Sequence, residues 1–467
     1  LNNTNDKQAI TAPAVTDSEP KRQLNLLQTS AIIIGAVIGS GVFLNLPIVA
    51  KFSGSPGISI IIWFLGGILW LPQILILAEM GTAFPNQGGP YYFLYKAGSP
   101  FLAFMYTWTA FLTSDTPTLT IIALTAASVL TYFFPLFQDP LYARIFGTVL
   151  IFSLAMIQYR SVKIGGNVQV FLTVMKLLPL LLLILLGLFF LDSGNIYIFP
   201  GEGQIQVQDN WFYVITTGVT ATLWAYAGFL NILYMAGEVK NPHKNLPRSL
   251  IGSIIFVTIA YTLISLCTSA IVPYNSLIAA DGQFINPFSF LNFFSGYAGS
   301  FFAIAAFISM IGVLNSVIMT QPRLEYAMAK DGLFFPVFGH LHPKFLTPDY
   351  SIFIQAGFSV LLFILGDINT MLGYFTLSYV LQNTLVYSAV FFLRNKSEYL
   401  PTYKVRCGKT LASLSIMIQL YIAYGSFVAY PIAGVLACVF LIITGFPIYY
   451  YFYKSKKQRI TNRNRSS

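Results

Sequence analysis

The stretch Gly35-Ala36-Val37-Ile38-Gly39-Ser40-Gly41-Val42-Phe43 places three glycines and a serine in the middle of a long apolar run. Each glycine weakens a helix there by about 1 kcal/mol relative to alanine. A helix that unwinds at such a point leaves N–H groups and a positive dipole end on one side and unpaired carbonyls on the other. The N–H groups suit an anion and the carbonyls a cation, so a zwitterion finds both. Small residues at these spacings also let helices pack closely, and this stretch alone does not separate the two uses. A second interruption, Trp224-Ala225-Tyr226-Ala227-Gly228-Phe229, shifts the balance. Matching breaks in the two halves of a membrane chain are a sequence mark of a midplane binding site. Moving the sequence by the interval from Ser40 to Ala227 also lays the start of the third apolar segment on the start of the eighth.

A few charges stand among apolar neighbours. Lys176 is the only basic residue that falls deep within an apolar segment. An ammonium near mid-bilayer costs roughly 2.5–3.5 kcal/mol or more, so it must face the interior and find a partner. It is a candidate for proton movement, or for a latch that senses a bound ligand, against a side chain that merely snorkels. Asp115, close to Pro117, is either a polar group at a helix irregularity or a coupling acid. Tyr261 is within reach of the Lys176 neighbourhood, although a lone tyrosine in a helix more often packs. Glu79 and Lys330-Asp331 fall at helix ends, where charge networks latch gates and solvated ends look much the same. His243, His340 and His342 lie in connections, and neither they nor Cys267, Cys407 and Cys438 have metal or redox spacing. No metal and no cofactor are expected.

These residues must be positioned by membrane-spanning helices. Of 467 residues 56% are hydrophobic and only 9% charged, where soluble domains carry roughly 25% charged residues. The apolar residues come in runs long enough for the about 20 residues that cross a bilayer core. Turn and charge signals cut about twelve segments, near 28–50, 57–80, 101–134, 142–159, 167–191, 211–236, 250–273, 287–327, 351–366, 368–393, 410–429 and 431–453. Residues 1–23 read as a polar tail with no removable signal peptide, and 454–467 as a basic tail. The net charge of +10 sits in short connections and tails rather than along a stripe, which argues against nucleic acid. With an even count and the N-terminus inside, the outer connections hold only Lys51 and Arg144 among basic residues. They also hold Asp139, Asp192, Glu202, Asp209, Asp281 and Asp367. That asymmetry satisfies the positive-inside rule and puts both termini in the cytoplasm.

Four stretches together resemble the amino acid–polyamine–organocation superfamily and, within it, the L-amino-acid transporter family. They are Gly35 to Phe43; Ala78-Glu79-Met80-Gly81 through Pro85-Asn86-Gln87-Gly88-Gly89-Pro90-Tyr91; Trp224 to Phe229 with Glu238-Val239-Lys240-Asn241-Pro242 and Pro247-Arg248; and Arg323 to Gly332 with Thr347-Pro348. The resemblance runs from about Leu24 to the end of the twelfth segment. It implies an all-α integral membrane fold, LeuT-like, with inverted repeats over 24–193 and 194–395 and two further helices over 396–453. Helices 1 and 6 would be unwound at the midplane, and the chain would work by alternating access. Carried over, the amides around Gly39, Ser40 and Gly41 hold a substrate carboxylate. Carbonyls of Val37, Ile38, Trp224, Ala225 and Ala227 hold its ammonium group, with Gly228 at the same break. Trp224 matches an aromatic that closes over substrate, and Lys176 stands where sodium-coupled relatives hold a cation.

The resemblance therefore implies sodium-independent exchange of small neutral L-amino acids such as alanine, serine or cysteine across the plasma membrane. Proton-coupled uptake is the alternative, and a non-transporting sensor the alternative from another class. No acid or base is evident at positions that would face the substrate side chain, which argues against arginine or glutamate. The spans show no constellation of an enzyme. Animal members use a cysteine after the third segment to join a glycoprotein; the stretch Phe134 to Tyr142 has none, so no disulfide-linked partner is expected and a bacterial member is indicated. Gly237 stands where many relatives have a second acid beside Glu238, which leaves details of the inner gate open.

Overall fold

A computed structural model describes residues 20–39, 41–189, 191, 196–198, 211–279, 297–365, 368–429 and 431–466. Among them the regular structure is helical, with isolated bridges only between Leu24 and Val239 and between Gln87 and Met235. In chain order the helices are α1 (Leu26–Val37), α2 (Gly41–Ser53), α3 (Pro56–Ala83), α4 (Gly89–Ala97) and α5 (Pro100–Thr109). A π-helical turn, Ala110–Asp115, leads into α6 (Thr116–Leu130), followed by α7 (Pro140–Arg160), α8 (Val162–Phe189), α9 (Trp211–Tyr226) and α10 (Asn231–Tyr234). Then come α11 (Pro242–Ile271), α12 (Tyr274–Ala279), α13 (Tyr297–Thr320), α14 (Pro322–Lys330), α15 (Asp349–Leu365), α16 (Ile368–Leu393), α17 (Gly408–Ala429) and α18 (Pro431–Ser466). Among the described residues six stretches are long and apolar enough to cross a bilayer: Pro56–Ala83, Pro140–Arg160, Val162–Phe189, Pro242–Ile271, Ala303–Lys330 and Gly434–Gln458.

The apolar segments read from the sequence coincide with these helices, and the departures are local. Segments one and six are each two helices separated by a break, and the start of segment eight lies outside the described residues. The short α4 and α12 fall in connections that carried no expected helix. The last helix runs on to Ser466 instead of stopping at 453, because the lysines, arginines and glutamine of the tail are good helix formers. Of the acids assigned to outer connections, Asp192, Glu202, Asp209, Asp281 and Asp367 lie outside the described residues.

Local chemistry sets the entry of each element. Asn25 caps α1 by accepting from the Gln28 N–H at 2.9 Å, while Gln28 Oε1 accepts from the Asn25 N–H at 3.0 Å. Ser55 caps α3 in front of Pro56. The helices are arranged with polar faces inward. On α8, Gln169, Thr173 and Lys176 lie on one buried face, whereas Phe171, Val174, Leu178, Leu181 and Leu185 are exposed. Exposed leucines opposite buried amides and an ammonium suit lipid outside and polar backbone inside. The long α11 packs along α3. Gly67 permits that approach, since a Cβ there would lie 2.1 Å from Thr258 Oγ1.

Candidate binding site between the two helix breaks

The first helix ends where Ile38 turns extended, at φ −77° and ψ 95°, and α2 restarts at Gly41. Carbonyls near the end of a helix need other donors, and side chains from α8 and α13 supply them. Thr173 Oγ1 donates to Ala31 O at 3.1 Å and Ser316 Oγ to Ile32 O at 2.8 Å. Lys176 Nζ donates to Gly35 O at 2.9 Å and to Ile38 O at 2.5 Å, and Ser309 Oγ also reaches Ile38 O at 3.1 Å. The Lys176 ammonium is thus buried against the broken end of α1, where the carbonyl dipoles favour a positive charge.

The second break meets the first. After Tyr226 the chain turns through Gly228 at φ +117°, a conformation that favours glycine. A Cβ at Gly228 would lie 3.2 Å from the backbone of Ala36. Tyr261 ties the two breaks together: its hydroxyl lies 3.1 Å from Val37 O and 3.0 Å from Ala225 O. Tyr261 and Lys176 therefore contact the same short stretch of α1 from two different helices.

Beside these breaks is a cavity of about 60 Å³. It is lined by Val37, Gly39, Gly41, Ala227 and Gly228 from the breaks. Ser114, Asp115 and Thr118 line it from the π turn and α6, and Val313, Val317 and Gln321 from α13 and the residue that follows it. At about 10–15 Å³ per water, it has room for about four waters or a solute of similar bulk. Gly41 opens α2, so unpaired N–H groups and a positive dipole end lie at the cavity, and the last carbonyls of α9 lie at the other break.

Three expectations need correction. Ile38 and Ala225 do not line the cavity. The Ile38 carbonyl already accepts from Lys176 and Ser309, which fills its two lone pairs, and Ala225 O is engaged by Tyr261. An acid does face the cavity: Asp115, at the end of the π turn, is only 2% exposed and accepts on Oδ1 from Gln321 Nε2 at 3.0 Å. Arg323, near the end of Ala303–Lys330, is also fully buried. Ser40 and the Trp224 side chain lie outside the described residues.

Glu79 belongs to a separate cluster. It takes a bidentate contact from Arg394, with Nε to Oε1 at 2.8 Å, and further hydrogen bonds from Tyr399 OH and the Val405 N–H. Asp331 accepts from Tyr91 OH at 2.8 Å. Along the chain from the cavity-lining Asn231, Tyr234 meets the Tyr106 hydroxyl at 2.9 Å and Glu238 meets Arg323 Nε at 2.9 Å. Gln87 Nε2 joins Glu238 Oε1 at 3.0 Å, and the Gln23 and Leu24 N–H groups donate to Glu238 O. The Glu238–Arg323 pairing joins positions 85 residues apart and has no local signal in the sequence. A pair of opposite charges at the end of a long apolar run, Arg323 and Glu325, was the available hint.

The amino acid permease family model matches residues 24–462. The chain is 27% identical over 443 residues to the serine/threonine exchanger SteT of Bacillus subtilis (strain 168), covering 94% of this chain and 99% of that one. It is 25% identical to b(0,+)-type amino acid transporter 1 of Mus musculus, over 96% of this chain and 91% of the relative. With Asc-type amino acid transporter 1 of Mus musculus the identity is 26%, over 93% and 82%. The chain thus belongs to the amino acid permease family of the amino acid–polyamine–organocation superfamily, resembles its L-amino-acid transporter members, and is a membrane transporter rather than an enzyme.

Proposed function

We propose that this protein exchanges small neutral L-amino acids across the plasma membrane by alternating access, without sodium. The observation that carries this is the cavity of about 60 Å³ set between two helix breaks, with free N–H groups at Gly41 and carbonyl ends across from them. A carboxylate and an ammonium on one carbon need that pairing of donors and acceptors, and the small volume supports alanine- to cysteine-sized cargo. Gly39, Ser40 and Gly41 then hold the carboxylate, Val37, Ala227 and Gly228 line the ammonium end, and Trp224 closes over the cargo. Lys176 supports sodium independence, since its ammonium already occupies the α1 carbonyls that would attract a cation. That two of the similar proteins are a serine/threonine exchanger and an Asc-type amino acid transporter agrees with this assignment.

In the same proposal, 24–193 and 194–395 are inverted repeats within twelve spans, both termini are cytoplasmic, and no disulfide-linked partner is required. The α1–α2 and α9–α10 breaks, and the irregular third and eighth segments, are the paired features that support a repeat. Glu238 and Arg323 then lie toward the cytoplasmic side, where Glu79 with Arg394 braces the bundle.

The test is uptake of labelled alanine and serine into sodium-free proteoliposomes, either empty or preloaded with serine. Uptake that requires preloading supports exchange. Uptake into empty vesicles driven by an inward pH gradient would instead favour proton coupling. One observation favours that second function: Glu325 is fully buried and neither carboxylate oxygen has a hydrogen-bond partner. A buried acid without a partner inside a membrane span is a candidate site for a coupled proton. No uptake of any small neutral amino acid in either vesicle would refute the assignment.

A further inference from the structure

We propose that Asp115 selects the cargo's side chain, giving preference to amino acids whose β-substituent donates a hydrogen bond, a hydroxyl or an ammonium, over isosteric apolar ones. This rests on the cavity between the helix breaks being the cargo site. The Asp115 carboxyl lines that cavity and is 2% exposed, yet Oδ2 has no hydrogen-bond partner. Its other oxygen is fully used, accepting from Gln321 Nε2 at 3.0 Å and Ser114 Oγ at 3.4 Å.

Two of the neighbouring donors are committed elsewhere, while the Tyr379 hydroxyl, also on the cavity wall, has no hydrogen-bond partner. Thr118, the other hydroxyl on this wall, donates to Ser114 O at 2.6 Å. The Gln321 amide is held with nitrogen toward Asp115 and oxygen toward Gln355 Nε2, at 3.5 Å. The residues facing the acid across the cavity include Val313 and Val317, which donate nothing. No base pairs with Asp115 among the described residues: Arg323 is paired with Glu238, and Lys176 with α1. Glu325 is itself an acid and offers Asp115 no counter-charge.

A buried acceptor without a donor is costly, and a cargo group that supplies the donor recovers that cost on binding. The cavity's ends divide the work. Backbone groups at Gly41, Ala227 and Gly228 meet the part common to every amino acid, and Asp115 meets the part that differs. The amide of Gln321 fixes the acid's orientation, so the free oxygen is presented rather than left to rotate.

The test is equilibrium binding of radiolabelled L-serine, L-2-aminobutyrate, L-2,3-diaminopropionate and L-alanine to the full chain in lipid nanodiscs. Serine and 2-aminobutyrate differ by a hydroxyl in place of a methyl of similar size. Serine is expected to bind roughly 10- to 100-fold more tightly than 2-aminobutyrate, the range set by the cost of a buried acceptor left without a donor. In Asp115→Ala that ratio should fall to within about threefold. If Asp115→Ala does not fold, Asp115→Asn serves, with binding of diaminopropionate expected to fall at least about tenfold relative to serine. The comparison of serine with diaminopropionate separates hydroxyl from ammonium as the preferred donor. Equal wild-type affinity for serine and 2-aminobutyrate overturns the proposal. So does an equal loss for both in Asp115→Ala, which would place the acid on the α-ammonium instead. If all four ligands fail to bind, the cargo site itself is wrong; if they bind without preference, only the role of Asp115 falls.

Discussion

Replacing Glu238 by glutamine should open the end of the bundle that the Glu238–Arg323 pair closes. Arg323 is fully buried, with Nε on Glu238 Oε1 at 2.9 Å and neither Nη1 nor Nη2 bonded. Glu238→Gln keeps an acceptor for Nε but removes the only opposite charge among the described residues that pairs with the guanidinium. Breaking a buried pair from one side costs about 3–5 kcal/mol, because the remaining charge stays desolvated. At 1.4 kcal/mol per tenfold, an arrangement that lets water reach Arg323 would gain on the order of 10² to 10³-fold in population. The assay starts from a variant with Cys267, Cys407 and Cys438 replaced, and adds one cysteine at the cavity-lining Val317. Its labelling by an impermeant maleimide from the proposed cytoplasmic face should accelerate at least about tenfold in Glu238→Gln. A Glu238→Gln/Arg323→Gln double variant should return toward the parent rate, since no charge is then buried alone. A folded Glu238→Gln with parental labelling, or a double variant as accessible as the single one, would refute the reasoning.

Lys176→Ala removes the ammonium from Gly35 O and Ile38 O, two charge-assisted bonds of about 1.5–3 kcal/mol each. Exchange in proteoliposomes should fall at least about tenfold, with a smaller change in equilibrium serine binding. Unchanged uptake under both inward and outward gradients would show that the lysine has no part in the cycle. Gly228→Ala forces an alanine to φ +117° and brings its Cβ to 3.2 Å from the Ala36 backbone. A cost of about 1–3 kcal/mol should follow, seen as a lower melting temperature and weaker binding; a variant that melts and binds like the parent would mean the two breaks do not need that contact.

Much of the helical framework was legible because a bilayer leaves the chain few choices. Long apolar runs such as 167–191 and 250–273 had to be helices, and the glycines at 39, 41 and 228 marked where two of them stop. The expense of its charge said that Lys176 needed acceptors, while only the family resemblance pointed to the broken first helix, whose carbonyls it meets. Other features depend on where faces point, which residue types do not reveal. Sequence spacing gave no way to see that Asp115 faces the cavity, because the turn from Ala110 to Asp115 departs from the ordinary helical period. Arg323 fell near the end of the segment 287–327 with no partner visible in the sequence, and the pairing with Glu238 from a distant segment accompanies its complete burial. The carbonyls of Ile38 and Ala225 were named by position, but their occupancy is decided by Ser309 and Tyr261 on other helices.

The widened turn at Ala110–Asp115 also bears on how such a chain can change over evolutionary time. An ordinary helix turns by about 100° per residue, so gaining or losing one residue rotates everything beyond it relative to everything before. Here α5 packs on α4 and α18 and α6 on α7, α13 and α15, while α16 runs along both helices and the turn between them. The widened turn absorbs the mismatch between the neighbours particular to each helix, beside one helix that both share. Losing one residue there would restore an ordinary turn and carry the carboxyl of position 115 away from the cavity while leaving both helices seated. A change in what the cavity recognises would then need a single-codon deletion and no remodelling of the surrounding bundle.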